Sequence, residues 1–218
     1  MFQNNLFTTE PEASESPLLQ IEHFEIPDAE LAYYPHFFAR AEADQIFQQL
    51  HEQLAWQQHH IRIAGMVRAQ PRLSVWYGDP EAHYSYSGLS LAPLAWHPLL
   101  TQLRARLESQ LKVRFNSVLA NLYRNQIDSM GWHADDEPEL GPLPTIASLS
   151  FGSSREFLIR HNSIKSAKHK VELGHGSLLV MAGTMQQYWQ HAIAKQSRAL
   201  GPRINLTFRF IQTGSKKS

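Results

Sequence analysis

The sequence predicts a mainly β fold, a jelly roll with helices packed against its outside. Two observations carry that expectation. From residue 116 onward, apolar residues recur with period two in short runs separated by Gly, Pro or Ser. Before that point, two segments carry the 3.6-residue period of amphipathic helices instead. Many short strands in succession, with no helical pattern between them, suit a sandwich or barrel rather than alternating βα units.

Taken in order, residues 1–20 are rich in Glu, Ser, Thr, Pro and Asn and are expected to form a disordered tail. Ile46, Phe47, Leu50 and Leu54 place a helix over residues 40–56. Residues 61–91 read as extended segments and turns that include the aromatic cluster Trp76, Tyr77, Tyr84 and Tyr86. Leu100, Leu103, Leu107 and Leu111 mark a second helix, with Pro98 suited to its first turn. Candidate strands follow at 116–125, 144–151, 155–161, 168–173, 177–182, 187–194 and 203–211. The expected division is therefore a tail, an N-terminal supporting region over 21–115, a β core over 116–212, and a short tail at 213–218.

Composition narrows the classes. The 218 residues are 43% hydrophobic and 18% charged, as in an ordinary globular domain. No apolar run approaches the roughly 18–20 residues needed to span a bilayer, so no membrane partner is expected. Residues 1–17 lack the pattern of a secretory signal. The absence of cysteine excludes thiolate metal sites, disulfides and cysteine nucleophiles. A monomer in the cytoplasm, or in the nucleus of a eukaryote, is the expectation. Net charge is zero but unevenly spread. Residues 1–30 hold seven acids and no Lys or Arg, whereas from Arg155 to the end eleven Lys or Arg face only Glu156 and Glu172. Such a half either faces a polyanion or carries scattered solubilising charge.

The chemistry begins at His133-Ala134-Asp135. In an extended segment, residues i and i+2 point the same way, so imidazole and carboxylate can meet at one metal. A distant His would complete the two-His, one-carboxylate face that leaves coordination positions open in non-haem iron oxygenases. His161, His169, His175 and His191 are the candidates. His175 reads as part of a Gly-His-Gly turn, while His191 sits inside a strand and is favoured by the segment that follows it. In that segment Arg203, Asn205, Thr207 and Arg209 alternate with Ile204, Leu206, Phe208 and Phe210. Asn121 and Tyr123 alternate in the same way on an earlier strand. Two polar strand faces near a metal suggest a polar barrel interior for a small anion, which a guanidinium can grip with paired hydrogen bonds.

These words together resemble the AlkB family of iron(II)/2-oxoglutarate-dependent dioxygenases, in its nucleic-acid alkylation repair subgroup. The matching stretches are Pro71-Arg72-Leu73, Trp76-Tyr77-Gly78, Asn121 to Asn125, Trp132 to Pro138, Ile146 to Gly152 and Arg203 to Arg209. The resemblance implies a double-stranded β-helix carrying an N-terminal nucleotide-recognition lid. It implies iron(II) on His133, Asp135 and His191, with 2-oxoglutarate and dioxygen as co-substrates. It implies that Arg203 binds the 2-oxoglutarate carboxylate near the metal and Arg209 the far one, with Asn121, Tyr123 and Thr207 completing that site. Tyr84, Tyr86 and Ser87 would belong to the lid, and Arg72, Asp136 and Glu137 would meet the target base.

The implied reaction is oxidative dealkylation of bases such as 1-methyladenine and 3-methylcytosine in DNA or RNA. A base must leave its stack to reach such a centre. Duplex-preferring relatives carry an aromatic wedge where this chain has Ala64, within Ile61 to Met66. Either Ile63 or Met66 intercalates instead, or single strands are the main substrate. Three other readings compete: the same chemistry on a protein or small metabolite, a zinc hydrolase, and a binding module that lacks activity.

Overall fold

The computed structural model describes residues 20–63, 65–82, 84–86 and 89–212. Expectations for residues 1–19, Ala64, Ser87 and 213–218 lie outside the described residues. The chain opens with strands β1 (Glu22–Phe24) and β2 (Glu30–Tyr34), then helix α1 (Arg40–Gln53). Two small hairpins, β3 (His60–Ile63) with β4 (Met66–Ala69) and β6 (Tyr84–Tyr86) with β7 (Leu89–Leu91), flank β5 (Leu73–Gly78). Helix α2 (Pro98–Leu111) leads into β8 (Ser117–Tyr123) and β9 (Met130–His133). The remainder comprises β10 (Ile146–Gly152), β11 (Arg155–His161), β12 (Lys168–Leu173), β13 (Ser177–Ala182), the one-turn helix α3 (Met185–Tyr188), β14 (Trp189–Ile193) and β15 (Arg203–Arg209).

Antiparallel pairing builds a seven-stranded sheet in the order β1-β2-β13-β10-β15-β8-β5 and a four-stranded sheet in the order β12-β11-β14-β9. The expected jelly roll is present. Three strands of the large sheet, β1, β2 and β5, come from before residue 116. The sequence did not mark β1 and β2, because such short strands hold their shape through partners distant in the chain, β2 pairing with β13.

Both helices form where the periodicity places them. In α1, Ala43, Ile46 and Leu50 are buried in one stripe. In α2, Leu100, Leu103 and Leu107 do the same, Pro98 opens the first turn, and the His97 imidazole accepts from the Leu99 N–H at 3.3 Å. Lys112 closes α2 in the left-handed conformation at φ 57°. These stripes cover the outer face of the large sheet, meeting Ile204, Leu206 and Phe208 of β15. Full burial of such a side chain contributes about 1.5–3 kcal/mol. A second apolar cluster, including Ile146, Met181, Phe157, Ile159 and Trp189, lies between the sheets.

The strand expected at 187–194 begins instead with the helical turn of α3. Gly152 ends β10 at φ 88°, where a Cβ would meet the Pro202 carbonyl oxygen at 2.4 Å. The turn from β10 to β11 thus passes under the entry to β15 and keeps both sheets in register at that end.

Candidate metal and co-substrate site

The site grows from one register match. His133 ends β9 and stands directly opposite His191 of β14, with ring centroids 4.2 Å apart. Asp135 follows two residues after His133, and its Oδ1 lies 3.8 Å from His133 Nε2. Ligand atoms of His133, Asp135 and His191 all lie within 4.8 Å of one another, and this triad could hold a metal ion. Phe157 of β11 stacks on His191 at 5.1 Å and 27°, which fixes the ring plane. The other candidate imidazoles lie elsewhere. His161 contacts Asp28, and His175 contacts Asp44 while accepting from the Gly152 N–H at 2.8 Å. His169 packs near Trp189.

Protonation favours ligation. Burial, reinforced by His133, pushes the His191 imidazole down to about 3, so it is neutral at physiological pH. For Asp135, burial works against ionisation, but Arg209 and the two imidazoles outweigh it and hold the carboxyl at about 2. Arg209 Nη2 lies 2.8 Å from Asp135 Oδ1. Gln186 Oε1 accepts from the Asp135 backbone N–H at 2.9 Å, and His133 Nδ1 lies 2.9 Å from the Gly131 carbonyl oxygen. If Nδ1 carries the ring proton there, the Nε2 lone pair faces Asp135.

Beyond the triad the large sheet turns a polar, buried face inward. Arg203, Asn205 and Arg209 of β15 stand opposite Tyr123, Asn121 and Ser117 of β8. On the other side, Thr207 and Asn205 stand opposite Ser148 and Ser150 of β10. Arg203, Asn205, Thr207, Asn121 and Tyr123 are all buried, so the polar alternation is barrel interior and not a solvated outer face. A small cavity of about 40 Å³ runs between these residues and the triad. Arg203 Nη2 donates to Ser150 Oγ at 3.0 Å, while its Nε and Nη1 lack a partner in hydrogen-bonding geometry. Burial lowers this guanidinium to about 10, partly offset by the Tyr123 phenol.

The order of the two arginines is the reverse of the expected one. Arg209 is at the metal end, against Asp135, and Arg203 is six residues away along an extended strand. The metal-side and far positions expected for the two guanidinium groups are therefore exchanged, while both still line one cavity.

The cavity meets an open cleft of about 780 Å³ at His133, Asp135 and Arg209, which line both. Trp76, Leu94, Trp132, Ile61 and Val67 supply its apolar walls. Glu137 lines it, whereas Asp136 is exposed outside it. Arg72 also lines it but is buried, its Nε donating to Asn121 Oδ1 at 2.9 Å. Arg72 is therefore tied to Asn121 and is not presented at the surface. Tyr84 and Tyr86 lie on β6.

A family model described as the 2OG-Fe(II) oxygenase superfamily matches residues 30–209. The human alpha-ketoglutarate-dependent dioxygenase alkB homolog 3 is 43% identical over 187 residues, covering 82% of this chain and 65% of that protein. The mouse DNA oxidative demethylase ALKBH2 is 37% identical over 188 residues, covering 82% of this chain and 79% of that protein. The chain belongs to the AlkB family of 2OG-Fe(II) oxygenases. It spans just under two thirds of the length of the alkB homolog 3 proteins it matches. The solved structure of OsALKBH1 superposes with a TM-score of 0.60 at 15% identity, covering 88% of this chain and all of that one, which bears on the fold alone.

The AlkB family's metal is iron(II), and the residues present fit it. Two imidazoles and an ionised carboxylate converge, and the buried His191 Nδ1 has no hydrogen-bond partner. Several residues around this AlkB-type site were not singled out from the sequence. Ser148 and Ser150 share the period-two signal that marked Asn205 and its neighbours. Gln186, Phe157 and Arg155 carry no local signal, because each is brought near the site by contacts between segments far apart in the chain.

Proposed function

We propose that this protein removes alkyl groups oxidatively from N-alkylated nucleic-acid bases such as 1-methyladenine and 3-methylcytosine. The observation that carries the reading is the junction of two spaces at one triad: a small cavity lined by Arg203, Asn205, Asn121 and Arg209, suited to a small anion, and a large cleft with apolar walls wide enough for a flipped base. The relatives' names, an alpha-ketoglutarate-dependent dioxygenase and a DNA oxidative demethylase, agree with it.

His133, Asp135 and His191 would hold iron(II). Bound there with 2-oxoglutarate and dioxygen, the metal supplies an oxidation that yields succinate, carbon dioxide and an aldehyde from the alkyl group. Arg209 orients the Asp135 carboxylate and faces the co-substrate's metal-side carboxylate. Arg203 and Tyr123 receive the far carboxylate, with Asn121 and Thr207 between them. Arg72 fixes the Asn121 amide by occupying its carbonyl oxygen. Glu137 and the cleft walls meet the base and exclude water, and the β6 strand that carries Tyr84 and Tyr86 contributes to nucleotide recognition. The protein supplies ligation, orientation and a dry site; no side chain need act as general base.

The test is direct. Incubate the protein with iron(II), 2-oxoglutarate and a panel of N-methylated DNA and RNA oligonucleotides, and follow base mass and succinate. Methyl loss coupled to succinate is expected, and His133→Ala or Asp135→Ala should abolish both while the fold persists. Repair at wild-type rates by either variant would sink the assignment.

A further inference from the structure

Positive charge is concentrated around Tyr123, at the Arg203 end of the cavity. The Arg203 guanidinium lies 5.1 Å from the centroid of the Tyr123 ring. A second guanidinium, that of Arg155 at the start of β11, lies 5.6 Å from the same centroid. Arg155 is 2% exposed and Arg203 1%. Among the described residues neither lies within ion-pair distance of a carboxylate.

What holds Arg155 is backbone. Its Nη2 donates to the carbonyl oxygens of Asp128, at 3.0 Å, and Ala194; its Nη1 reaches the Asn125 carbonyl at 3.4 Å. Its Nε is buried without a hydrogen-bond partner. Asp128 is the acid that acts on it, and both Asp128 oxygens already accept from Arg124. Carbonyl dipoles solvate a buried cation without neutralising it. Burial lowers the proton affinity of both guanidinium groups, and Arg155 adds to the lowering at Arg203. Two cations against one phenol ring is a strained charge arrangement that an anion between the strands would relieve.

We propose that Arg155 is a positioning and specificity residue for the co-substrate, whose charge, acting across Tyr123, makes the far end of the cavity select a fully ionised carboxylate. This rests on the reading that 2-oxoglutarate occupies the cavity with its far carboxylate at Arg203. The bland alternative is that Arg155 only ties the 125–128 loop and residue 194 to β11.

Calorimetric titration of the full-length protein, loaded with Mn(II) so that no turnover occurs, separates the two. The ligands are 2-oxoglutarate and its 5-methyl ester, which is neutral at the far end. Arg155→Gln keeps hydrogen-bond donors but removes the charge. It should weaken 2-oxoglutarate binding on the order of tenfold, the scale for two charges separated by an aromatic ring at an effective dielectric near 20. Ester and Mn(II) binding should stay within about twofold of wild type. Arg155→Lys, which keeps the charge but breaks the carbonyl clamp, should retain most of the preference for acid over ester. Equal loss for both ligands in Arg155→Gln, or loss of the preference in Arg155→Lys, would leave only the structural tie. If Arg155→Gln does not fold, the lysine variant alone decides. Wild-type protein that binds 2-oxoglutarate no better than the ester, or an Arg203→Gln variant that binds it normally, would overturn the reading of the cavity and this proposal with it.

Discussion

Gln186 shows how one side chain can set a metal ligand without touching the metal. Its Oε1 accepts from the Asp135 N–H and its Nε2 lies 3.6 Å from Met181 Sδ, all in a buried setting. Gln186→Leu leaves that N–H buried and unsatisfied, at a cost of about 1–3 kcal/mol. Loss of such an outer contact typically lowers metal affinity about 10–100-fold. Titration with Co(II), followed by its visible absorption, should show that drop; unchanged affinity would mean that Arg209 alone orients Asp135. At this scale the sequence announced His133, Asp135 and the polar alternation of β15, because neighbours in a strand share a face by covalent geometry. It could not announce Gln186 or Arg155. Their partners lie 51 residues away for Gln186 and up to 39 away for Arg155, and only the tertiary fold closes those gaps.

Elements depend on such ties as well. The connection between β8 and β9 is held by Arg124, which donates to both oxygens of Asp128 at 2.7 and 2.9 Å. Burial by itself would raise the Asp128 carboxyl, but the Arg124 hydrogen bonds reverse this and hold it below the usual carboxylate range. A carboxylate depressed in the folded state adds stability above its unfolded pKa of about 3.9 and loses it as pH falls through the folded value. Asp128→Asn should therefore lower the melting temperature at pH 7, and its gap from wild type should narrow as pH falls below about 4. The effect is modest, since Arg124 is 45% exposed. A gap that persists undiminished at pH 2 would mean that charge plays no part. The same pairing logic explains the elements the sequence misjudged. Residues 185–188 carry strand-like neighbours but turn helical before β14, and β2 is a strand because β13 offers it an edge.

Over the whole molecule, the cleft and its hairpin decide how substrate enters. Strands β3 and β4 pair as far as Ile63↔Met66, and Gly65 has φ 80°. Met66 and Val67 are 53% and 63% exposed, and Val67 also lines the cleft. An intercalating side chain offsets an unstacking cost of a few kcal/mol per step, and the sequence from Ile61 to Met66 offers no aromatic to do so. Single-stranded methylated oligonucleotides should thus be repaired at least as fast as duplexes, and Ala64→Phe should shift the balance toward duplex. Single-turnover rates on both forms, at several salt concentrations because phosphate contacts weaken with salt, measure this. A strong wild-type preference for duplex that Ile63→Ala or Met66→Ala removes would show that an aliphatic wedge suffices.

By itself the sequence determined the helices, most strands of the barrel, the His-x-Asp pair and the set of polar residues on β8 and β15. All of these are local periodicities, written into the chain by the 3.6- and two-residue repeats of its backbone. Tertiary structure decided which distant histidine joins the pair, because only the register of β14 on β9 sets His191 opposite His133. It decided that the polar face is buried. It also decided that Arg209, not Arg203, stands at the His-Asp-His triad, since direction along a strand relative to a site on another sheet has no signature in the strand itself.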